Sequence, residues 1–185
     1  MTALTMAPPP TQAVIDRYDD VRALVDDAMT RGPSTHAEEV TPIIECEARF
    51  LDAGEYQRWL DLYDDDACLW VPAHVDDHPG RDQALAFDDK RRLRERAWHM
   101  HDPEAWAITH PRPVTLRALG QVAAWSNRSG FLAVAPLTIT HVRRGPAHIL
   151  HGRQVLELTQ HGLIRTKALL FPQLALGAPH LGWLM

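Results

Sequence analysis

The chain has 185 residues, 45% of them hydrophobic and 23% charged, which is the make-up of an ordinary globular protein long enough to bury a sizeable core. Its formal net charge of −5 offers no basic field for nucleic acid. No apolar run approaches the ~20 residues that span a bilayer, and the opening MTALTMAPPP lacks a charged segment followed by an apolar core. Neither a membrane span nor a secretory signal is therefore expected, and a cytoplasmic location is the default. Cys46 and Cys68 both lie in apolar-flanked stretches and read as buried free thiols.

Taken in order, residues 1–34 read as an N-terminal unit and residues 35–185 as a single domain. Met1 to Gln12 holds Pro8-Pro9-Pro10, which favours an extended, mobile form. Ala13 to Thr30 reads as a helix with Val14, Tyr18, Val21, Leu24, Val25 and Ala28 on one face and acidic and basic residues on the other. Gly32-Pro33-Ser34 stops it. Thr35 to Ala53 reads as a second helix, with Ser34 or Thr35 as N-cap and Glu38 and Glu39 near its positive end. Its apolar stripe is Val40, Ile43, Ile44, Ala48 and Leu51, and Gly54 follows as the residue that ends it.

Tyr56, Trp59, Leu60 and Tyr63 give a shorter helical face, Asp64-Asp65-Asp66 an acidic turn, and Ala67 to Val71 a strand closed by Pro72. Ala73 to Asp82 reads as a loop, and Gln83 to Met100 as a helix with a basic solvated face. Beyond Pro113 the chain turns β-rich. Val114–Trp125, Gly130–Val142, Ala147–Leu158 and Leu163–Leu176 read as four successive antiparallel strands. Gly120, Pro136 and Gly152 suggest bulges or bends within them. The tail, with Leu176, Leu181, Trp183, Leu184 and Met185, is apolar and expected to pack on the domain or a neighbouring subunit.

The run from Glu45 to Pro72, ECEARFLDAGEYQRWLDLYDDDACLWVP, is the most informative. It resembles the small (beta) subunit of aromatic-ring-hydroxylating (Rieske non-haem iron) dioxygenases through Glu47, Ala48, Arg49, Leu51 and Asp52. Tyr56, Trp59, Leu60, Leu62 and Tyr63 continue the match, then Asp65, Asp66, Ala67, Trp70, Val71 and Pro72. Asp88, Asp89, Lys90, Leu93 and Arg96 fit the family's following helix, and Trp106, Pro111 and Arg112 fit part of its W…P-S-R-T-R-H motif, whose Ser, Thr and final His are missing. Gly152, Arg153 and Leu158 fit a later G-R…L loosely. The resemblance implies an α+β fold: a cone-shaped barrel whose strongly curved, mostly antiparallel sheet wraps around N-terminal helices, as in nuclear transport factor 2 and ketosteroid isomerase. It also implies a trimer supporting large catalytic dioxygenase subunits, with the Rieske iron–sulfur cluster and mononuclear iron on those partners and no cofactor in this chain.

Because this fold hosts enzymes as well as assembly subunits, two functions are carried forward. Under the first, the chain is a non-catalytic structural subunit with no catalytic or metal residues of its own. Under the second, it is a stand-alone isomerase, dehydratase or cyclase acting on a small apolar ring, with Asp66 and His101 as a buried acid–base pair. Tyr56, Trp59, Tyr63, Trp70 and His99 would line its pocket. The plainer reading of these residues is core packing for the aromatics, a turn for Asp66 and a helix end for the histidines. His74 and His78 flank Asp76-Asp77 ahead of Pro79-Gly80, which makes them a solvated loop before a zinc site. No Cys-x-His…Cys-x-x-His pair, nucleotide loop or G-x-S-x-G motif occurs.

Overall fold

The computed structural model describes residues 12–100, 102, 111, 113–143 and 145–172. Residues 1–11, His101, Trp106, Arg112 and the apolar tail from residue 173 onward lie outside the described residues. The architecture is α+β. Helices α1 (Gln12–Ile15), α2 (Tyr18–Thr30), α3 (Ala37–Ala53) and α4 (Tyr56–Asp61) precede strand β1 (Tyr63–Pro72). Strand β2 (Ala84–Asp89) and helix α5 (Lys90–His99) follow, then β3 (Val114–Leu119), β4 (Ala123–Ser126), β5 (Gly130–Val142), β6 (His148–Thr159) and β7 (Ile164–Leu170).

The strands form one sheet in the order β2-β1-β7-β6-β5-β3, with β4 also on β5. All pairings are antiparallel except β1 with β7. The expected curved, mostly antiparallel sheet is present. It curls without closing, since the edge strands β2 and β3 do not pair with each other.

Side-chain alternation along the strands builds two cores. Ala67, Leu69 and Val71 of β1 join Val40, Ile44 and Leu51 of α3 and Trp59 of α4 on the inner face. Cys68 and Trp70, pointing the other way, join Val21, Val25 and Ala28 of α2 with Leu132, Val155, Ala168 and Leu170 on the outer face. The helix spacing of Val21, Val25 and Ala28 is therefore matched to a sheet surface, which is what holds α2 in place.

Several elements differ from the sequence reading. The N-terminal helix breaks at Asp16-Arg17, where Arg17 turns to the sheet and donates to the Asp66 carbonyl at 2.6 Å and to Thr166 Oγ1 at 2.5 Å. The α3 N-cap is His36, with no side-chain cap; Ser34 instead accepts from Ala124 N at 2.9 Å and donates to its carbonyl at 3.1 Å, tying the linker to β4. Gly54 ends α3 in the left-handed region at φ 69°, which glycine adopts without the Cβ clash other residues would meet.

Asp64-Asp65-Asp66 is not a separate turn. It lies inside β1, in a bulge: Tyr63 pairs Ile164 and Cys68 pairs Thr166, so five steps of β1 face two of β7. The surplus carries the acidic side chains away from the ladder. Gln83–Asp89 is not helical either. Ala84–Asp89 forms an edge strand on β1, with Trp70 opposite Phe87. The helix starts only after Asp89, whose carboxylate accepts from Arg92 N at 2.8 Å as an N-cap.

The expected strand Val114–Trp125 is two strands, β3 and β4, bent at Gly120, whose N–H donates to the Pro136 carbonyl at 2.9 Å. A Cβ on Gly120 would sit 2.8 Å from the Pro136 ring. Pro136 and Gly152 themselves stay in unbroken register and face Arg153 and Leu137. Strand β7 ends at Leu170, short of the expected Leu176. Cys46 and Cys68 are free, Cys68 fully buried.

Candidate functional site

The inner face holds a buried polar cluster centred on Glu47. This residue falls on the apolar stripe of α3, one helical step from Ile44 and Leu51, and is 1% exposed. Lys167, on the inner face of the central strand β7, places its Nζ 2.5 and 2.6 Å from the two Glu47 oxygens. Trp59 Nε1 donates to Glu47 Oε1 at 3.0 Å and the Tyr63 hydroxyl at 2.9 Å. The Trp59 and Tyr63 rings meet edge-on with centroids 5.0 Å apart. Helix α3, helix α4, strand β1 and strand β7 thus converge on one carboxylate.

The electrostatics follow from burial against pairing. Burial pushes the Glu47 carboxyl up, but the Lys167 charge, the Lys167 and Trp59 hydrogen bonds and nearby Arg117 hold it below the usual carboxylate value. Burial pulls Lys167 below its ordinary value, against the opposing pull of Glu47. Tyr63 is raised well above the usual phenol value by burial and by the Glu47 charge and hydrogen bond, which keeps it a neutral donor.

Beside this cluster, Asp52 receives the Arg117 guanidinium at 2.5 Å, the Arg117 backbone N–H at 2.7 Å and the Thr115 hydroxyl at 3.0 Å. It links the end of α3 to β3. One amide on the inner face stays open: Gln154 Nε2 is buried with no hydrogen-bond partner among the described residues.

Chemically, the Glu47 carboxylate is saturated by four donor contacts and held in its charged form. A general base needs a free lone pair and a pKa near the working pH; this group has neither. The arrangement acts as a polar pin joining helices to sheet.

The residues singled out from the sequence distribute as follows. Trp59 and Tyr63 meet at the cluster, and Tyr56 is buried in the same core. Trp70 is on the outer face, packed under α2. Asp66 is exposed in the β1 bulge, so it lacks the burial that an acid–base role was expected to require. His99 is exposed at the end of α5 against the Trp98 ring, centroids 5.0 Å apart. His101 lies outside the described residues. His78 accepts from Gly80 N at 3.1 Å and sits 3.2 Å from Asp19, while His74 is exposed. Among the described residues no group of three or more His, Cys, Asp or Glu is placed to hold a metal ion, and no helix is long and apolar enough to cross a membrane.

Glu47 and Lys167 were missed as a pair. The available signals were a glutamate on the buried stripe of α3 and a lysine flanked by Thr166, Ala168, Leu169 and Leu170 in a strand with neighbours on both sides.

Comparison with known proteins agrees with the fold. The chain is similar to the 2-halobenzoate 1,2-dioxygenase small subunit of Burkholderia cepacia, at 29% identity over 90 residues that cover 45% of this chain. The match spans about half, 54%, of that relative's length. Among solved structures, naphthalene 1,2-dioxygenase with indole bound is similar at TM-score 0.66 and 16% identity, over 80% of this chain and 84% of the other. The beta subunit of benzoate 1,2-dioxygenase from Burkholderia mallei is similar at TM-score 0.61 and 19% identity, over 72% and 89%. These two likenesses bear on the fold alone. The model of the ring-hydroxylating beta subunit family matches residues 46–166, from the middle of α3 to the third residue of β7, and the chain belongs to that family.

Proposed function

We propose that this chain is a non-catalytic structural and assembly subunit of a ring-hydroxylating dioxygenase acting on an aromatic compound. In this reading it forms a trimer and supports large subunits, which carry the Rieske iron–sulfur cluster and mononuclear iron and perform the oxidation. Family membership supports the reading. The observation that carries it is the Glu47 cluster. Among the described residues, the buried Glu47 and Lys167 charges of the inner face are consumed by one another and by the Trp59 and Tyr63 donors, which suits a rigid support joining helices to sheet. The exposure of Asp66 and the outward position of Trp70 weigh against an acid–base pocket built from those residues.

The test is substitution at the two residues the enzymatic alternative needs. Asp66→Asn and His101→Ala are expected to leave turnover by the complex within about twofold of wild type, about 0.4 kcal/mol in the barrier. A loss of a hundredfold or more in either variant, with assembly intact, would contradict the proposal.

A further inference from the structure

A groove of about 830 Å³ runs along the side of α2, over the beginnings of β5 and β7 and the end of β6. Its volume falls in the range of small-molecule sites, roughly 300–1,000 Å³. One wall is α2. The other is the β4–β5 turn, which contributes Arg128 and Ser129, with Arg165 of β7 beside it. Among the described residues four arginines line the groove, Arg17, Arg31, Arg128 and Arg165, against three carboxylates, Asp20, Asp27 and Glu157.

The positive excess is concentrated on the turn wall. Arg17 is held by Glu157 at 3.3 Å, by Thr166 Oγ1 at 2.5 Å and by the Asp66 carbonyl at 2.6 Å. Arg31 is held by the two Asp27 oxygens at 2.9 and 2.7 Å and by the Ser126 carbonyl at 3.0 Å. These contacts account for Glu157 and Asp27. Arg165 makes one hydrogen bond among the described residues, to Ser129 Oγ at 3.3 Å. Arg128 is exposed and makes none among them. Two guanidiniums therefore face the groove with most of their donors uncommitted and no ion-pair partner among the described residues.

The turn that carries them is well fixed. Asn127 Oδ1 accepts from Ser129 N at 3.0 Å and from Gly130 N at 2.8 Å, and Asn127 N donates to the Gly130 carbonyl at 3.0 Å. Gly130 backs onto the end of β6, where a Cβ would lie 2.4 Å from the Thr159 carbonyl carbon. Ser129 Oγ, which accepts from Arg165, has its own O–H to donate. Guanidinium forks match the paired oxygens of a carboxylate or phosphate. On the α2 wall Asp20 is the lining carboxylate that neither Arg17 nor Arg31 holds, and exposed Ala23 and half-buried Leu24 add apolar surface. An anionic group is thus drawn to the turn wall and repelled by Asp20, which leaves an attached hydrocarbon body towards Leu24.

We propose that this groove binds a small organic oxyanion, a carboxylate or a phosphate monoester, between Arg128 and Arg165 with the Ser129 hydroxyl as a third donor. The site lies on the outer face under α2, with the sheet between it and the Glu47 cluster. It goes beyond the assembly function proposed above and does not depend on a large subunit.

The test is calorimetric titration of the full-length chain with butyrate and with inorganic phosphate, at constant ionic strength set with chloride. Saturable binding of at least one probe is expected, and the tighter of the two assigns the source of the oxyanion. Arg128→Gln/Arg165→Gln, checked for folding by circular dichroism, should bind that probe at least about tenfold more weakly, as loss of charge-assisted hydrogen bonds implies. Arg128→Gln alone, which removes a side chain that holds nothing in the described fold, should already weaken it at least about threefold. Arg153→Gln, an exposed arginine of β6 outside the groove, should bind as wild type does. Arginine modification by phenylglyoxal, mapped by peptide mass, should be slowed by the probe at Arg128 and Arg165 and not at Arg153. The proposal is overturned if neither probe saturates, if the Arg128→Gln variant binds as wild type does, or if Arg153 is protected equally, which would mean charge screening alone.

Discussion

Replacing Lys167 with methionine isolates the buried pin. The Lys167 and Glu47 side chains are 3% and 1% exposed, so Lys167→Met strands a carboxylate that keeps only the Trp59 and Tyr63 donors. Methionine fills the lysine's aliphatic volume, so the cavity contribution is small. Breaking a buried pair from one side costs ~3–5 kcal/mol, a large part of the ~5–15 kcal/mol that stabilises a domain. With an m-value of ~2 kcal/mol per molar urea, the midpoint should fall by roughly 1.5–2.5 M. The companion Glu47→Gln/Lys167→Met removes both charges and keeps an acceptor for Trp59 and Tyr63; it should return to within about 1 kcal/mol of wild type. A single-variant cost under about 1 kcal/mol, or a double variant no better than the single, would refute the view that a desolvated ion pair joins α3 to β7.

Three further outcomes are expected. The folded pKa of Glu47 is held below the ordinary 4.5, so its contribution to stability is complete above that value and is lost as pH falls through the folded pKa; in Glu47→Gln this loss should vanish from the acid limb of a stability–pH profile. Gly152→Ala should destabilise by about 1–3 kcal/mol, because the new Cβ would lie 2.2 Å from the Leu170 carbonyl oxygen and 2.5 Å from the Phe171 ring; an unchanged thermal midpoint would show that the β6–β7 approach is looser than described. Burial raises the Cys68 thiol pKa, while Cys46 is half-buried beside Arg49. A thiol reagent should therefore react with Cys46 in the native protein and reach Cys68 only on unfolding, and rapid native labelling of Cys68 would contradict the placement of α2 over it.

Much of the fold was legible where one period dominates. Strand β5 was read with its observed bounds, Gly130–Val142, because alternation is sustained and both flanks are turn residues. The end of α3 was legible in Gly54. What failed was local signal overridden by pairing. Leu85 and Ala86 fit a helix pattern, yet β1 needed an edge partner, and the Asp89 cap that starts α5 was not given weight. The Asp64–Asp66 run looks like a turn because three adjacent acids disfavour a regular ladder; the structure resolves the same conflict with a bulge. The candidate site was less legible still. Trp59 and Tyr63 were named, but their shared partner Glu47 is contributed by α3 and its counter-charge by β7, 120 residues further on, and no local pattern joins such distant positions.

The measurement that tests the central claim most directly is the mass and metal content of the assembly recovered when this chain is purified, untruncated, from the cells that make it. The account predicts co-purification with a larger chain that carries iron and acid-labile sulfide, in equal numbers with this one. A homo-oligomer free of iron and sulfide, recovered under conditions that keep such complexes intact, would contradict it.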